Sequence, residues 1–143
     1  MPLIFREMHG DLFSASSNTS LAHCVSRDLN MSKGIAMLFR DKFGQINELQ
    51  KQNVPVGGCA YLTADDRCIF YLVTKERYFY KPTMATLESS LRVMRDLCIQ
   101  HNIRHLGMPR IGCGLDKLDW NKVSQLIQNV FKEDDIEITI YTI

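Results

Sequence analysis

The 143-residue chain reads as one α/β domain, residues 1–143, with a mixed central sheet flanked by helices on both faces in three α/β/α layers. Three observations predict it. Ile136, Ile138 and Ile140 alternate with Glu137, Thr139 and Tyr141, the period of a strand. Thr83 to Gln100 carries Leu87, Leu91, Met94, Leu97 and Cys98 at helical spacing. Between them a short apolar run, Ile103 to Met108, enters a glycine-rich turn and then a second amphipathic segment, Trp120 to Phe131.

The elements follow in order. Leu3 to Met8 alternates weakly and reads as an edge or entry strand, ended by Gly10-Asp11-Leu12-Phe13. A polar loop, Ser14 to Thr19, leads to Leu21–Val25, a short apolar run consistent with a buried strand. Ser26 to Lys33 is a second polar loop. Gly34 to Phe43 places Ile35, Leu38, Phe39 and Phe43 on one helical face, with Gly44 as its C-cap. Ile46 to Gln52 adds a short helix. Val54-Pro55-Val56-Gly57-Gly58 turns the chain. Cys59 to Thr63 and Cys68 to Thr74 form a hairpin through Ala64-Asp65-Asp66-Arg67. Pro82 and Thr83 stand where the long helix would begin. Helix 120–131 is expected to bury Trp120, Val123, Leu126 or Ile127, and Val130.

Composition narrows the function classes. The 45% hydrophobic and 23% charged fractions are those of an ordinary soluble globular protein. Formal net charge is +1 with no Lys/Arg run, so neither nucleic acid nor a membrane is expected as a partner. The five cysteines form no CxxC and sit mostly in apolar runs, which points to reduced thiols in the cytosol or nucleus. Met1 to Asp11 lacks the apolar core of a signal peptide, and no apolar run reaches membrane-spanning length. A nuclear or cytoplasmic monomer is the expectation.

In an α/β sheet, ligands bind at the carboxyl ends of the strands. Three ends matter: the turn after Val25, Thr74-Lys75, and Met108-Pro109-Arg110-Ile111-Gly112-Cys113-Gly114-Leu115-Asp116. A glycine-rich strand-to-helix turn can offer bare backbone N–H groups to a phosphate. It can equally be a tight connection, because Lys117 breaks the dinucleotide fingerprint and no Gly-Lys-Ser/Thr follows. Lys75 ends the apolar run Ile69–Val73, where desolvation would favour the free amine of a nucleophile; a surface lysine is the plainer alternative. Asp116 suits either a helix cap or a free acid, the second if Asp119 caps the helix. Asp11 suits a turn cap or an acceptor for the amino group of a base. Cys113 lacks an evident partner histidine and fits packing better than nucleophilic work. His9, His23, His101 and His105 make no metal pattern, and no metal or cofactor is expected.

Taken together, Gly10–Phe13, Leu21–Ser26, Gly34–Ala36, Leu72–Lys75, Lys81–Thr83 and Met108–Asp116 resemble the macro domain family over nearly the whole chain. The resemblance is closest to its terminal ADP-ribose protein glycohydrolase branch, marked by a lysine and aspartate pair. It implies that Asp11 holds the adenine amino group with Leu12 against the ring. It implies that the Ile111–Leu115 backbone wraps the pyrophosphate, with Pro109 and Arg110 also in the ADP-ribose site. It places Ser26 and Gly34 around the distal ribose, with His23 and Thr74 also in the ADP-ribose site. Lys75 and Asp116 become the catalytic pair. The implied reaction removes ADP-ribose from Glu/Asp-linked mono-ADP-ribosylated proteins, with O-acyl-ADP-ribose as a second ester substrate. Lysine attacks the anomeric carbon and aspartate handles protons and resolves the adduct. A non-catalytic ADP-ribose reader is the alternative. One departure is visible. Where the family loop is usually Gly-Ala, this chain has Ser32-Lys33 before Gly34.

Overall fold

The computed structural model describes residues 2–143, and Met1 lies outside the described residues. The chain runs β1 (Ile4–His9), β2 (Ser20–Ser26), α1 (Gly34–Phe43), α2 (Ile46–Gln52), β3 (Cys59–Ala64), β4 (Arg67–Lys75), α3 (Met84–Gln100), β5 (His105–Met108), α4 (Trp120–Phe131) and β6 (Glu137–Thr142). A single 3-10 turn, Leu12–Ser14, follows β1. The sheet order is β1-β6-β5-β2-β4-β3. All neighbours are parallel except β3 and β4, the hairpin pair.

Alternation along the strands sorts the core into two layers. Cys68, Phe70 and Leu72 of β4 pack on the face covered by Leu87, Leu91, Met94 and Cys98 of α3 and by Val123, Ile127 and Val130 of α4. Ile69, Tyr71 and Val73 point the other way, onto Phe39 of α1 and Leu49 of α2. Both faces of β4 are therefore dry, which is why its sequence is a continuous apolar run. The expected three-layer α/β/α arrangement and mixed sheet are what the chain forms, and β1 is the edge strand the weak alternation indicated.

Local signals explain the ends. Gly44 closes α1 at φ 58, and its N–H donates to Arg40 O. Thr83 starts α3 with a capping box to Thr86. Asp65 takes φ 57 at the hairpin turn. Two helical side chains depart from expectation. Leu38 is 46% exposed because its part of α1 borders an open cleft instead of the sheet. Trp120 is only partly buried and uses its indole N–H on Glu7 Oε2 at 3.2 Å; Phe131, Ile127 and Val123 fill the core instead. Among the described residues no helix is long and apolar enough to cross a membrane.

Because five of the strands are parallel, His9, Ser26, Lys75, Met108 and Thr142 end on one edge of the sheet. That edge carries every loop of the site.

Candidate active site

A cleft of about 770 Å³ opens along this edge. Its wall includes Lys75 at the end of β4 and Asp116 in the glycine loop after β5. Lys75 Nζ donates to Asp116 Oδ1 at 2.5 Å. The two side chains are only 12% and 15% exposed, so bulk water screens the pair weakly. Asp116 is free for this role because Asp119 is the N-cap of α4, its Oδ1 accepting from Asn121 N–H at 2.9 Å. Of the two roles open to Asp116 in the sequence, the helix cap is thus taken by its neighbour.

The loop between β5 and α4 is built on backbone bonds at its two ends and a longer one across its middle, from Lys117 N–H to Gly114 O at 3.3 Å. Cys113 N–H donates to Arg110 O, and Leu118 N–H donates to Gly112 O at 2.7 Å. Gly112 sits at φ 73, a left-handed conformation that costs a residue with a β-carbon about 1–2 kcal/mol. Gly114 and Leu115 N–H find no acceptor among the described residues. Lys81 Nζ donates to Leu115 O at 2.8 Å. Across the cleft stands Gly34, also left-handed at φ 59, close enough that a β-carbon there would meet Leu115 Cδ1 at 3.8 Å. Two glycine-bearing loops thus face each other across the cleft, each with backbone exposed to a ligand.

The loop after β2 forms a third wall. Ser26 Oγ donates to Asp28 Oδ1, and the N–H groups of Asn30 and Tyr78 donate to the same carboxylate. Burial works to raise the Asp28 pKa, yet those hydrogen bonds, with Arg77 nearby, hold it below the ordinary carboxylate value. Ser32 and Lys33 both line the cleft. Leu29 at φ 57 and Gly34 at φ 59 take the left-handed positions, so Ser32 carries its β-carbon without that strain. Lys33 is the N-cap of α1, extended at φ −142, with no capping bond from its side chain.

At the far end Asp11 caps the 3-10 turn, its Oδ1 accepting from Phe13 N–H at 3.0 Å. A carboxylate has further lone pairs, so the cap leaves capacity for a ligand donor. Leu12 is buried beneath it, 3% exposed. Arg110 lines the cleft, but its guanidinium is spent on Glu7 Oε1 at 2.9 and 3.1 Å and lies over the Trp120 ring. Its contribution to a ligand site is therefore backbone and edge.

Of the residues expected to touch ADP-ribose, Asp11, Leu12, Ser26, Gly34, Pro109, Arg110, Ile111, Gly112, Gly114 and Leu115 line the cleft. His23, Thr74 and Cys113 do not, and these expectations are corrected. His23 has no exposure and stacks on Phe39 at 3.8 Å, inside the layer under α1 and α2. Desolvation pulls its pKa down to about 3. Thr74 is buried beside the end of β4. Cys113 turns its thiol inward to Ile111 O and packs against the core, while its N–H is used within the loop. Burial raises the Cys113 thiol pKa, against nucleophilic work.

Several wall residues carried no usable sequence signal. Cys24, not His23, lines the cleft from within β2, with Val25 and Ser26 at the strand's end. A central strand buried on both faces gives no polarity to tell one parity from the other. Burial, then the charge of Asp116, pushes the Cys24 thiol up to about 12, so it stays protonated beside the pair. Met31, Tyr78, Phe79, Tyr80, Tyr141 and Ile143 also line it, beside Lys81 of the Lys81–Thr83 segment. Among the described residues no group of His, Cys, Asp or Glu gathers to hold a metal ion.

Comparison with known proteins converges on one family. The family model described as "Macro domain" matches residues 22–127. The chain is 48% identical over 134 residues to the "ADP-ribose glycohydrolase OARD1" of Homo sapiens, covering 94% of this chain and 88% of that protein. The protein of the same name from Bos taurus matches at the same identity and coverage. In fold, the chain superposes on the "Macrodomain of Thermus aquaticus DarG" with a TM-score of 0.86 at 22% identity, covering 99% of each chain. It is also similar to "Thermosipho africanus DarTG in complex with ADP-ribose", TM-score 0.78 at 23% identity, covering 92% of this chain and 39% of that one.

Proposed function

The chain belongs to the macro domain family, and on that footing we propose that it is an ADP-ribose-binding hydrolase acting on ADP-ribosyl esters of protein glutamate and aspartate. The observation that carries the reading is the Lys75–Asp116 contact at 2.5 Å, set between two backbone-lined loops of one cleft. Similarity to proteins named ADP-ribose glycohydrolase supports the same class of reaction.

ADP-ribose would lie along the cleft with adenine toward Asp11 and Leu12. The pyrophosphate would meet the unused N–H groups of Gly114 and Leu115, and the distal ribose would stand between Gly34 and Lys75. An extended, mostly uncharged phosphate cradle suits a protein of net charge +1, since backbone dipoles replace a basic patch.

The pair then divides the chemistry. Asp116 first takes a proton from the Lys75 ammonium, and the freed Nζ amine attacks the anomeric carbon of the distal ribose. The bond from that carbon to the protein carboxyl breaks, and its electron pair leaves on the carboxylate. The attacking nitrogen sheds its extra proton to the departing carboxylate, while Asp116, within hydrogen-bond reach of Nζ, holds the first. Opening of the ribose ring turns the adduct into an imine, and the ring oxygen takes a proton. Asp116 next directs water onto the imine carbon, releasing ADP-ribose and restoring Lys75. A carboxylate is a good leaving group, so this degree of activation suffices for an ester.

Incubation of the protein with an auto-ADP-ribosylated, Glu/Asp-linked substrate tests the proposal. Free ADP-ribose should appear in proportion to time and protein. Saturable ADP-ribose binding with no release from several acid-linked substrates would instead identify a reader. In that case Lys33 in the cleft wall is the feature that sets this chain apart.

A further inference from the structure

We propose that Lys81 is a positioning residue that sets the carboxylate of Asp116 against Lys75; this rests on the hydrolase reading of the site. Lys75 and Lys81 bracket the turn that follows β4, and they grip consecutive residues of the glycine loop. Lys75 holds the Asp116 carboxylate at 2.5 Å, and Lys81 holds the Leu115 carbonyl at 2.8 Å. The Leu115 C=O and Asp116 N–H belong to one planar peptide unit and point to opposite sides. Fixing that carbonyl fixes the plane, and with it the Cα of Asp116. From there only two side-chain torsions separate the backbone from the carboxylate oxygens.

Besides Lys81, this part of the loop is spanned by one long turn bond, from Lys117 N–H to Gly114 O at 3.3 Å. The bonds of Cys113 N–H to Arg110 O and of Leu118 N–H to Gly112 O close its two ends. Between them Leu115 is 64% exposed, and the Cβ direction of Gly114 meets nothing within 4 Å. Packing therefore does not set the 115–116 peptide; the long turn bond holds its flanks, and the Lys81 ammonium, at 2.8 Å, holds its carbonyl. A hydrogen bond between an exposed lysine and an exposed carbonyl adds little to folding. Its worth lies in geometry, because a displaced catalytic group costs rate on the order of 100-fold per ångström.

The Lys81→Met variant separates these roles. It keeps the aliphatic stem and removes the donor. Three quantities are read in wild type and variant: the thermal midpoint, kcat and KM on an acid-linked substrate across pH, and the carboxyl carbon resonance of Asp116 followed by NMR. We expect an unchanged midpoint, a kcat lowered on the order of 10- to 100-fold with KM altered less than about threefold, and a displaced pH limb. The Asp116 carboxyl resonance should also move. A kcat within about threefold of wild type, or a loss carried mainly by KM, overturns the proposal. So does an unmoved Asp116 resonance, whether or not the protein turns over. A wild type that releases no ADP-ribose fails the hydrolase reading by itself, and the resonance still decides the role of Lys81.

Discussion

Lys75 Nζ and Asp116 Oδ1 lie 2.5 Å apart in the wall of the cleft, although 41 positions separate them in the chain. The sheet makes the meeting. Parallel pairing of β4 with β2 and of β2 with β5 brings the ends of β4 and β5 to the same edge, two strands apart. The loop after β5 then reaches back over β2 to close on the end of β4.

The length of the cleft predicts its ligand preference. ADP-ribose should bind more tightly than ADP or AMP, because Asp11, the glycine loop and Gly34 are spread along one continuous wall. Titration calorimetry with the three ligands checks this. Equal affinity for AMP and ADP-ribose would remove the distal ribose from the site.

Asp11→Ala should weaken ADP-ribose binding by about 1–3 kcal/mol through the lost acceptor. It also removes the cap on Phe13 N–H, so Asp11→Asn is the informative partner. Asn keeps an oxygen for the cap, and its amide group can also face the ligand. Wild-type affinity in a folded Asp11→Ala protein would reduce Asp11 to a turn residue.

Two glycines of the loop should behave differently. A β-carbon at Gly112 would stand 2.9 Å from Leu118 Cδ1 at φ 73, directed at the core side rather than the cleft. Gly112→Ala should therefore lower stability by about 1–2 kcal/mol in a urea titration. Gly114 has open space at its β-carbon position. Gly114→Val should keep its urea midpoint and lose ADP-ribose affinity. Equal effects of the two changes on both measurements would contradict this assignment.

Stability should fall in acid partly through His23. Its folded pKa is lowered to about 3 from 6.5, so between those values the unfolded chain binds the extra proton. Stability is full above the unfolded value and is lost as pH falls from about 6.5 toward 3, by up to about 1.4 kcal/mol per pH unit. His23→Leu should narrow the gap between urea midpoints at pH 7 and pH 4.5. A gap as wide as that of wild type would mean that carboxylates alone drive the acid response.

What the sequence disclosed depended on whether a residue's surroundings were one-sided. Helix 120–131 and the strand through Ile138 and Ile140 are amphipathic, and their positions were legible to within a residue or two. Lys75 and the glycine loop stood out because each interrupts an apolar or strand-like run. His23 was misplaced because β2 is buried on both faces, so nothing in Leu21–Val25 told which side chain reaches the cleft. Asp116 was ambiguous for a local reason: it and Asp119 both stand before α4, and only the observed cap on Asn121 separates them. The grip of Lys81 on Leu115 crosses 34 positions and leaves no periodic trace.

The most direct test is the release of ADP-ribose from a Glu/Asp-linked mono-ADP-ribosylated protein by Lys75→Ala beside wild type, with ADP-ribose binding measured on the same samples. The Lys75 amine is the proposed nucleophile, while the phosphate and adenine contacts come from other residues. The variant should bind ADP-ribose and release none. Lys75→Ala that releases ADP-ribose at the wild-type rate would contradict the account.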